Sequence, residues 1–308
     1  MTYKIAQDNF VEGLRYFQSQ ENNISKLDES YVKDFGNSLR IIIYQKIKKP
    51  ISYIHHPNDL FDSNERVWGL NLLLTHNYIQ IQSEVDRNQI SDNFQRRMFW
   101  RLIQVKSLVQ QNSLRDSLQK SINYSNEAWD QGNYFMYLEF KLLETEIYLM
   151  EGHTRIALKS FKSIKDLISR TNNDFISRYY RTGAEIHFSL AESQGSSQNS
   201  IACLKQELND SLIYISLSLQ YASLSLNFSV IEECLYMSLA CKRLNSDFQD
   251  YEKIEALREK CFKIRNRVLD YVNNENFSPK KQNEITDLLS VGVISVKAFE
   301  LLIKGVIN

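Results

Sequence analysis

The chain has 308 residues, 43% of them apolar and 24% charged, and its 37 lysines and arginines balance 37 aspartates and glutamates. That length supports one to three domains and a sizeable core, while the balanced charge excludes a generally basic binder of nucleic acid or membrane surfaces and leaves only a local patch open. Nine glycines and three prolines, with no proline from Ser91 to Ser278, exclude the turn-rich β classes and point to helices joined by short polar links.

Two helices are expected first, over 2–20 and 27–47. Ile5, Phe10, Leu14 and Phe17 mark an apolar face on the first; Tyr31, Phe35, Leu39 and the run from Ile41 to Tyr44 mark one on the second. Pro50 and Pro57 then break the chain. A helix over 63–85 follows, capped by Asp62 or Ser63, with Val67, Leu70, Leu74 and Tyr78 on one side. Helices over 90–111, 113–130, 133–151 and 154–170 come next, and links this short set consecutive helices antiparallel. A helix over 174–193 leads to a Ser/Gln/Gly loop, Ser193–Ser200. Helices over 203–226, 228–243 and 248–273 follow. After a break at Phe277-Ser-Pro279, two short helices over 279–290 and 294–306 cap the end. The expected division is an N-terminal helical portion (1–90) packed on an array (91–274), with a cap (275–308).

The array repeats itself. Lys106 to Asn112 leads into Ser117 to Ile122, and forty residues later Glu146 to Gly152 leads into Ala157 to Ile164. Fainter copies follow, Glu185-Ile-His187 matching Glu146-Ile-Tyr148 and Ser211–Ser218 matching Ala157–Ile164. A period of this size, built from two helices and a turn, marks stacked helical hairpins that bury their apolar faces against neighbours.

The best copy, residues 141–170, resembles a tetratricopeptide repeat. Tyr148, Ala157 and Phe161 fall at signature places of that family, and Gly152 falls at the turn between its helices. Lys141, Glu144, Thr145, Ile164 and Ser169 depart from the pattern, and the period is about 40 rather than the family's 34. The resemblance covers one strong and three weak units over 95–270. It implies an all-α fold, an α-solenoid of antiparallel helix pairs wound as a right-handed superhelix. It also implies a concave surface lined by the first helix of each unit. In the best copy that surface takes Glu139, Leu142, Glu146, Leu149 and Met150, a mixed acidic and apolar set suited to a segment with apolar anchors and basic residues.

Little in the chain suggests reaction chemistry. No glycine-rich phosphate loop and no HExxH motif occurs. His55 and His56 lie between the prolines with Asp59 and Asp62 nearby, but adjacent histidines fall short of a four-ligand metal site and read as an exposed loop. No cofactor and no metal is expected. Cys234 and Cys241, seven apart, share one helical face and read, like most free cysteines, as small buried apolar residues. Cys261 sits among Lys260, Lys263 and Arg265. Ser211 to Ile231 holds only neutral side chains, yet its six serines make it too polar to cross a membrane, and it reads as two buried helices.

Two basic clusters stand out. Arg96, Arg97, Arg101 and Lys106 interleave with aromatics around Phe99 and Trp100, and Arg258, Lys260, Lys263, Arg265 and Arg267 form the second. Either would contact phosphates, although both fit the solvated side of an amphipathic helix better. The favoured expectation is a non-catalytic scaffold or adaptor, a subunit binding protein partners in a larger intracellular assembly, cytoplasmic or nuclear. The alternatives are a regulatory receptor for a peptide and a nucleic-acid-associated scaffold using the Arg96–Lys106 face. No membrane partner is expected.

Overall fold

The structure is a computed structural model, and it describes residues 63–193, 198–225, 227–245 and 251–273. The helices expected over 2–20, 27–47, 279–290 and 294–306, the Pro50–Pro57 loop with His55 and His56, and the break at Phe277 lie outside them. Among the described residues every regular element is helical, and no helix is long and apolar enough to cross a membrane.

The helices are α1 (Ser63–Leu74), α2 (Tyr78–Asn88), α3 (Phe94–Gln110), α4 (Leu114–Asp130), α5 (Tyr134–Met150) and α6 (Thr154–Ser163). A 3-10 helix, Lys165–Arg170, follows, then α7 (Asn173–Glu192), α8 (Gln198–Ser225), α9 (Phe228–Leu244) and α10 (Tyr251–Asn273). The described chain divides into two compact units, 63–168 and 169–273. Most of the portion expected over 1–90 lies outside the described residues; its described part packs on α3. Trp68, Leu72, Ile81 and Val85 of α1 and α2 share one core with Trp100 and Ile103 of α3, so the apolar side of α3 welds the segment before residue 90 to the segment after it.

The forty-residue period has a local cause. Helices α3, α4 and α5 are each 17 residues long, and three residues separate each from the next. The middle linker residue takes a left-handed backbone, φ +60° at Asn112, +69° at Gly132 and +76° at Gly152. Each linker closes the preceding helix in the same way. His153 N–H donates to the Tyr148 carbonyl (2.8 Å) and Gly152 N–H to the Leu149 carbonyl (2.9 Å). Asn133 and Gly132 repeat this on Ala128 and Trp129, and Ser113 and Asn112 on Leu108 and Val109. This is the Schellman arrangement, which satisfies carbonyls that a helix end leaves unpaired. The third linker residue starts the next helix: Asn133 Oδ1 accepts from Met136 N–H (3.2 Å). Seventeen plus three gives a module of 20 residues, and two modules give 40.

The same turn operates once more upstream. The helix expected over 63–85 is two helices, because His76 adopts φ +54°. Asn77 N–H donates to the Leu72 carbonyl (2.9 Å), and the Asn77 side chain caps α2 through Gln80 N–H.

Within the 63–168 unit, α3 presents two apolar sides. Trp100 and Ile103 face the α1–α2 core, where Trp68 and Trp100 meet edge to face at 5.5 Å. Met98, Leu102 and Val105 join Ala128 of α4 and Met136, Phe140, Leu143 and Ile147 of α5. Arg101 pairs with Glu127, and Gln104 Oε1 accepts from the Tyr124 hydroxyl (3.1 Å). Three residues forward on α3 thus meet three back on α4, so this pair is antiparallel. Helix α4 approaches closely because its buried positions are Ser117, Ser121, Ser125 and Ala128; Ser121 Oγ donates to the Phe140 carbonyl (2.8 Å).

In the 169–273 unit, α7, α8 and α9 are joined by two equivalent polar rungs. Ser218 Oγ donates to the Ser177 carbonyl of α7 (2.7 Å), and Cys234 Sγ of α9 donates to Ser218 Oγ (3.2 Å). Seven residues along, Ser211 Oγ donates to the Ala184 carbonyl (2.9 Å), and Cys241 Sγ donates to Ser211 Oγ (3.5 Å). The register runs antiparallel across both helix pairs. Small hydroxyl and thiol side chains let the helices approach and satisfy their own polarity. The stretch from Ser211 spans the end of α8 and the start of α9 and buries one side, with Ile215, Leu219, Ala222, Val230 and Ile231 in the core and Ile213 exposed.

Candidate functional site

Helix α5 carries the five residues expected to line a concave surface. It is apolar on most sides, and a helix of that kind is buried. Leu142 is 1% exposed and Glu139 5%, so neither forms part of an open surface, and the expectation is corrected at both. Glu146 and Leu149 are half-buried. Met150, at the C-terminal end of α5, is 59% exposed. The repeat positions are placed as packing residues: Ala157 and Phe161 are buried in α6, and Gly152 makes the left-handed turn. Tyr148 is half-buried, and burial, with the Glu144 carboxylate second, pushes its hydroxyl above the ordinary value of 10.0.

The basic face is also corrected. Arg96 is not a surface cation; its Nε lies 2.8 and 2.9 Å from the two carboxylate oxygens of Glu65 and its terminal nitrogen 2.7 Å from one of them. Glu65 is completely buried and also accepts from Trp100 Nε1 (2.6 Å). Arg97 donates to the Ser91 carbonyl (2.6 Å). Arg101 pairs with Glu127 and lies over the Tyr124 ring, 4.7 Å from its centroid. Lys106 is half-buried on the same helix. Acceptors within the unit occupy these arginines, so they do not offer phosphates an open row of cations. In the second cluster, Lys263 is exposed and sits 3.8 Å from Glu259; the side chains of Lys260, Arg265 and Arg267 lie outside the described residues.

Two surfaces emerge that periodicity did not mark. The first is an exposed aromatic group at the α4–α5 turn. Trp129, 47% exposed, ends α4; Tyr134, 54% exposed, opens α5. Their ring centroids are 5.3 Å apart, and Tyr137 lies 4.9 Å from Trp129 on its other contact. The Gly132 turn between the helices brings these rings together, so they are held in place before any partner arrives. Phe135, beside Tyr134, is also exposed. The signal was present as Trp129-Asp-Gln-Gly-Asn-Tyr134-Phe135, a three-residue turn with aromatics close on both sides.

The second is a groove of about 510 Å3 lined by Glu232, Glu233 and Tyr236 of α9 and Arg258, Glu259 and Phe262 of α10. Tyr236 and Phe262 supply its exposed apolar surface; of its carboxylates, Glu233 lies 3.4 Å from Arg181 and Glu259 3.8 Å from Lys263.

No protein-family model matches this chain, and neither a curated protein nor a solved structure does.

The cysteines are placed as structural groups. Cys234, Cys241 and Cys261 are buried, and Cys203 is exposed. Burial pushes the Cys234 thiol up to about 12 and the Cys241 thiol to about 11, against the lowering effect of the serine hydrogen bonds. A nucleophilic cysteine needs the opposite shift.

Proposed function

We propose that this protein is a non-catalytic scaffold or adaptor, a subunit that binds protein partners in a larger assembly. Its tetratricopeptide-like hairpins would continue as a right-handed α-solenoid, within the cell. The observation that carries the reading is the exposed aromatic group at the α4–α5 turn. Tryptophan and tyrosine dominate the energetics of protein interfaces, and exposed aromatics clustered on one turn mark contact sites rather than scattered surface apolarity. Trp129 is held by Tyr134 and Tyr137, so little side-chain freedom is lost on binding. The hairpins behind it are closed by repeated backbone hydrogen bonds and form a stiff mount.

A second reading, a receptor for a peptide, is favoured by the α9–α10 groove. Its exposed Tyr236 and Phe262 suit a segment with apolar anchors. The two are separated by affinity purification of the tagged chain beside two variants, Trp129→Ala/Tyr134→Ala and Tyr236→Ala/Phe262→Ala. A stoichiometric protein lost only with the first pair supports the scaffold reading; one lost only with the second supports the receptor reading. Retention by both variants contradicts both.

A further inference from the structure

The α7–α8 hairpin gathers metal-ligating side chains from its two helices. His187 of α7 and Glu207 and Asp210 of α8 place one ligand atom each within 4.8 Å of one another. His187 Nδ1 lies 2.7 Å from Glu207 Oε2 and 4.0 Å from Asp210 Oδ2. We propose that these three residues bind a divalent transition-metal ion of the Zn2+ type.

The backbone prepares the arrangement. Glu207 and Asp210 are three residues apart, which puts them on one side of α8. The Ser211–Ala184 rung fixes the register that sets His187 opposite them. Tyr214, one turn beyond Asp210, stacks on the imidazole with centroids 5.2 Å apart and planes within 16°, so the ring is held edge-on to the carboxylates. Gln206 Nε2 donates to Asp210 Oδ1 (3.1 Å), which leaves Oδ2 turned to the histidine side.

Two part-buried carboxylates on one helical turn repel each other, and the imidazole Nδ1 carries at most one proton to share between them. A divalent ion in place of that proton compensates both. With metal–nitrogen and metal–oxygen bonds of about 2.0–2.2 Å, tetrahedral ligand atoms stand roughly 3.3 Å apart. The His187 separations of 2.7 and 4.0 Å bracket that value and all three ligand atoms lie within 4.8 Å, so side-chain rotations would bring the set to that spacing. A mixed nitrogen and oxygen set without thiolate selects a borderline ion such as Zn2+ over Ca2+, Mg2+ or Cu+. Three protein ligands leave one coordination position for water. The ion would tie α7 to α8 across the hairpin. Sequence alone did not reveal the set, because the residues come together only once the α7–α8 register is known.

The test uses the full chain, freed of metal and titrated with Zn2+ by calorimetry and with Co2+ by visible absorption. His187→Gln, Glu207→Gln and Asp210→Asn are compared, with circular dichroism checking that each is folded. Asp210→Asn, at a part-exposed position, keeps size and helix. The wild type is expected to bind one ion that His187→Gln does not, with affinity at least about tenfold weaker in either carboxylate variant, and Zn2+ is expected to raise the melting temperature of the wild type but not of His187→Gln. Saturable binding that is absent from the wild type, or unchanged in stoichiometry and affinity in His187→Gln and Asp210→Asn, overturns the proposal.

Discussion

Arg96→Met separates a structural arginine from a phosphate-binding one. The Glu65 carboxylate is fully buried and accepts three contacts of 2.7–2.9 Å from Arg96. Removing one partner of a buried ion pair leaves an uncompensated charge and costs about 3–5 kcal/mol. Methionine keeps much of the arginine stem, so little packing is lost. The double variant Glu65→Leu/Arg96→Met removes both charges and is expected to recover part of that loss, because apolar replacements of buried pairs cost less than a half-broken pair. The bond from Trp100 Nε1 to Glu65 is lost in it and sets the residual cost, about 1–3 kcal/mol. Urea unfolding followed by tryptophan fluorescence measures this cleanly, since Trp68, Trp100 and Trp129 are the chain's three tryptophans and all lie in the 63–168 unit. With a slope of about 1–3 kcal/mol per molar urea, the single variant should shift the midpoint by about 1 M or more. Arg96→Met within about 0.5 kcal/mol of wild type would refute the reasoning and return Arg96 to the candidate phosphate contacts.

Gly152→Ala should destabilise the 63–168 unit by about 1–2 kcal/mol, because φ is +76° with no atom near an added Cβ, so the cost is backbone strain alone; Gly152→Asn should cost less, as Asn112 already holds the equivalent place, and equal costs by urea melts would contradict the turn assignment. Ser218→Ala should cost about 1 kcal/mol in the 169–273 unit by removing the hydroxyl's bond to the Ser177 carbonyl and the weak thiol bond from Cys234, read by circular dichroism during urea unfolding; a neutral result would show the rung to be incidental. Native protein should expose one fast-reacting thiol to an aromatic disulfide reagent, Cys203, with the other three reacting only on unfolding. Cys234 and Cys241 also couple folding to alkaline pH. Their folded values of about 12 and 11 lie above the ordinary 9.0, so the unfolded chain gives up these protons first and stability should fall as pH rises from 9 toward 12; a flat profile in that window would contradict their burial.

The helices were legible because this chain states them twice, in apolar spacing and in its link residues. From residue 94 to 150 the expected boundaries differ from the observed ones by a few residues at most. Asn112, Gly132 and Gly152 are left-handed formers, and polar residues follow each of them. The break at His76 was not legible, since Val67, Leu70, Leu74 and Tyr78 keep helical spacing across it and no glycine or proline marks the turn. Burial of Glu65 was hidden for a different reason: an acidic residue in the first turn of a helix reads as a surface residue until Arg96 and Trp100, more than thirty positions away, close over it. The repeat resemblance misplaced Leu142 and Glu139. A family pattern assigns one side of a helix to a groove, but α5 has buried positions on nearly every side. The aromatic turn and the His187 cluster depend on pairing between helices, which spacing along one helix does not encode.

The most direct test of the central claim is affinity purification of the tagged protein from its native cell at moderate and high salt, beside the Trp129→Ala/Tyr134→Ala variant, with mass spectrometry of what is retained. A stoichiometric protein that survives high salt with the wild type and is lost with the variant is the predicted result. Recovery of no protein partner, or the same partner in equal amount with the variant, would contradict the account.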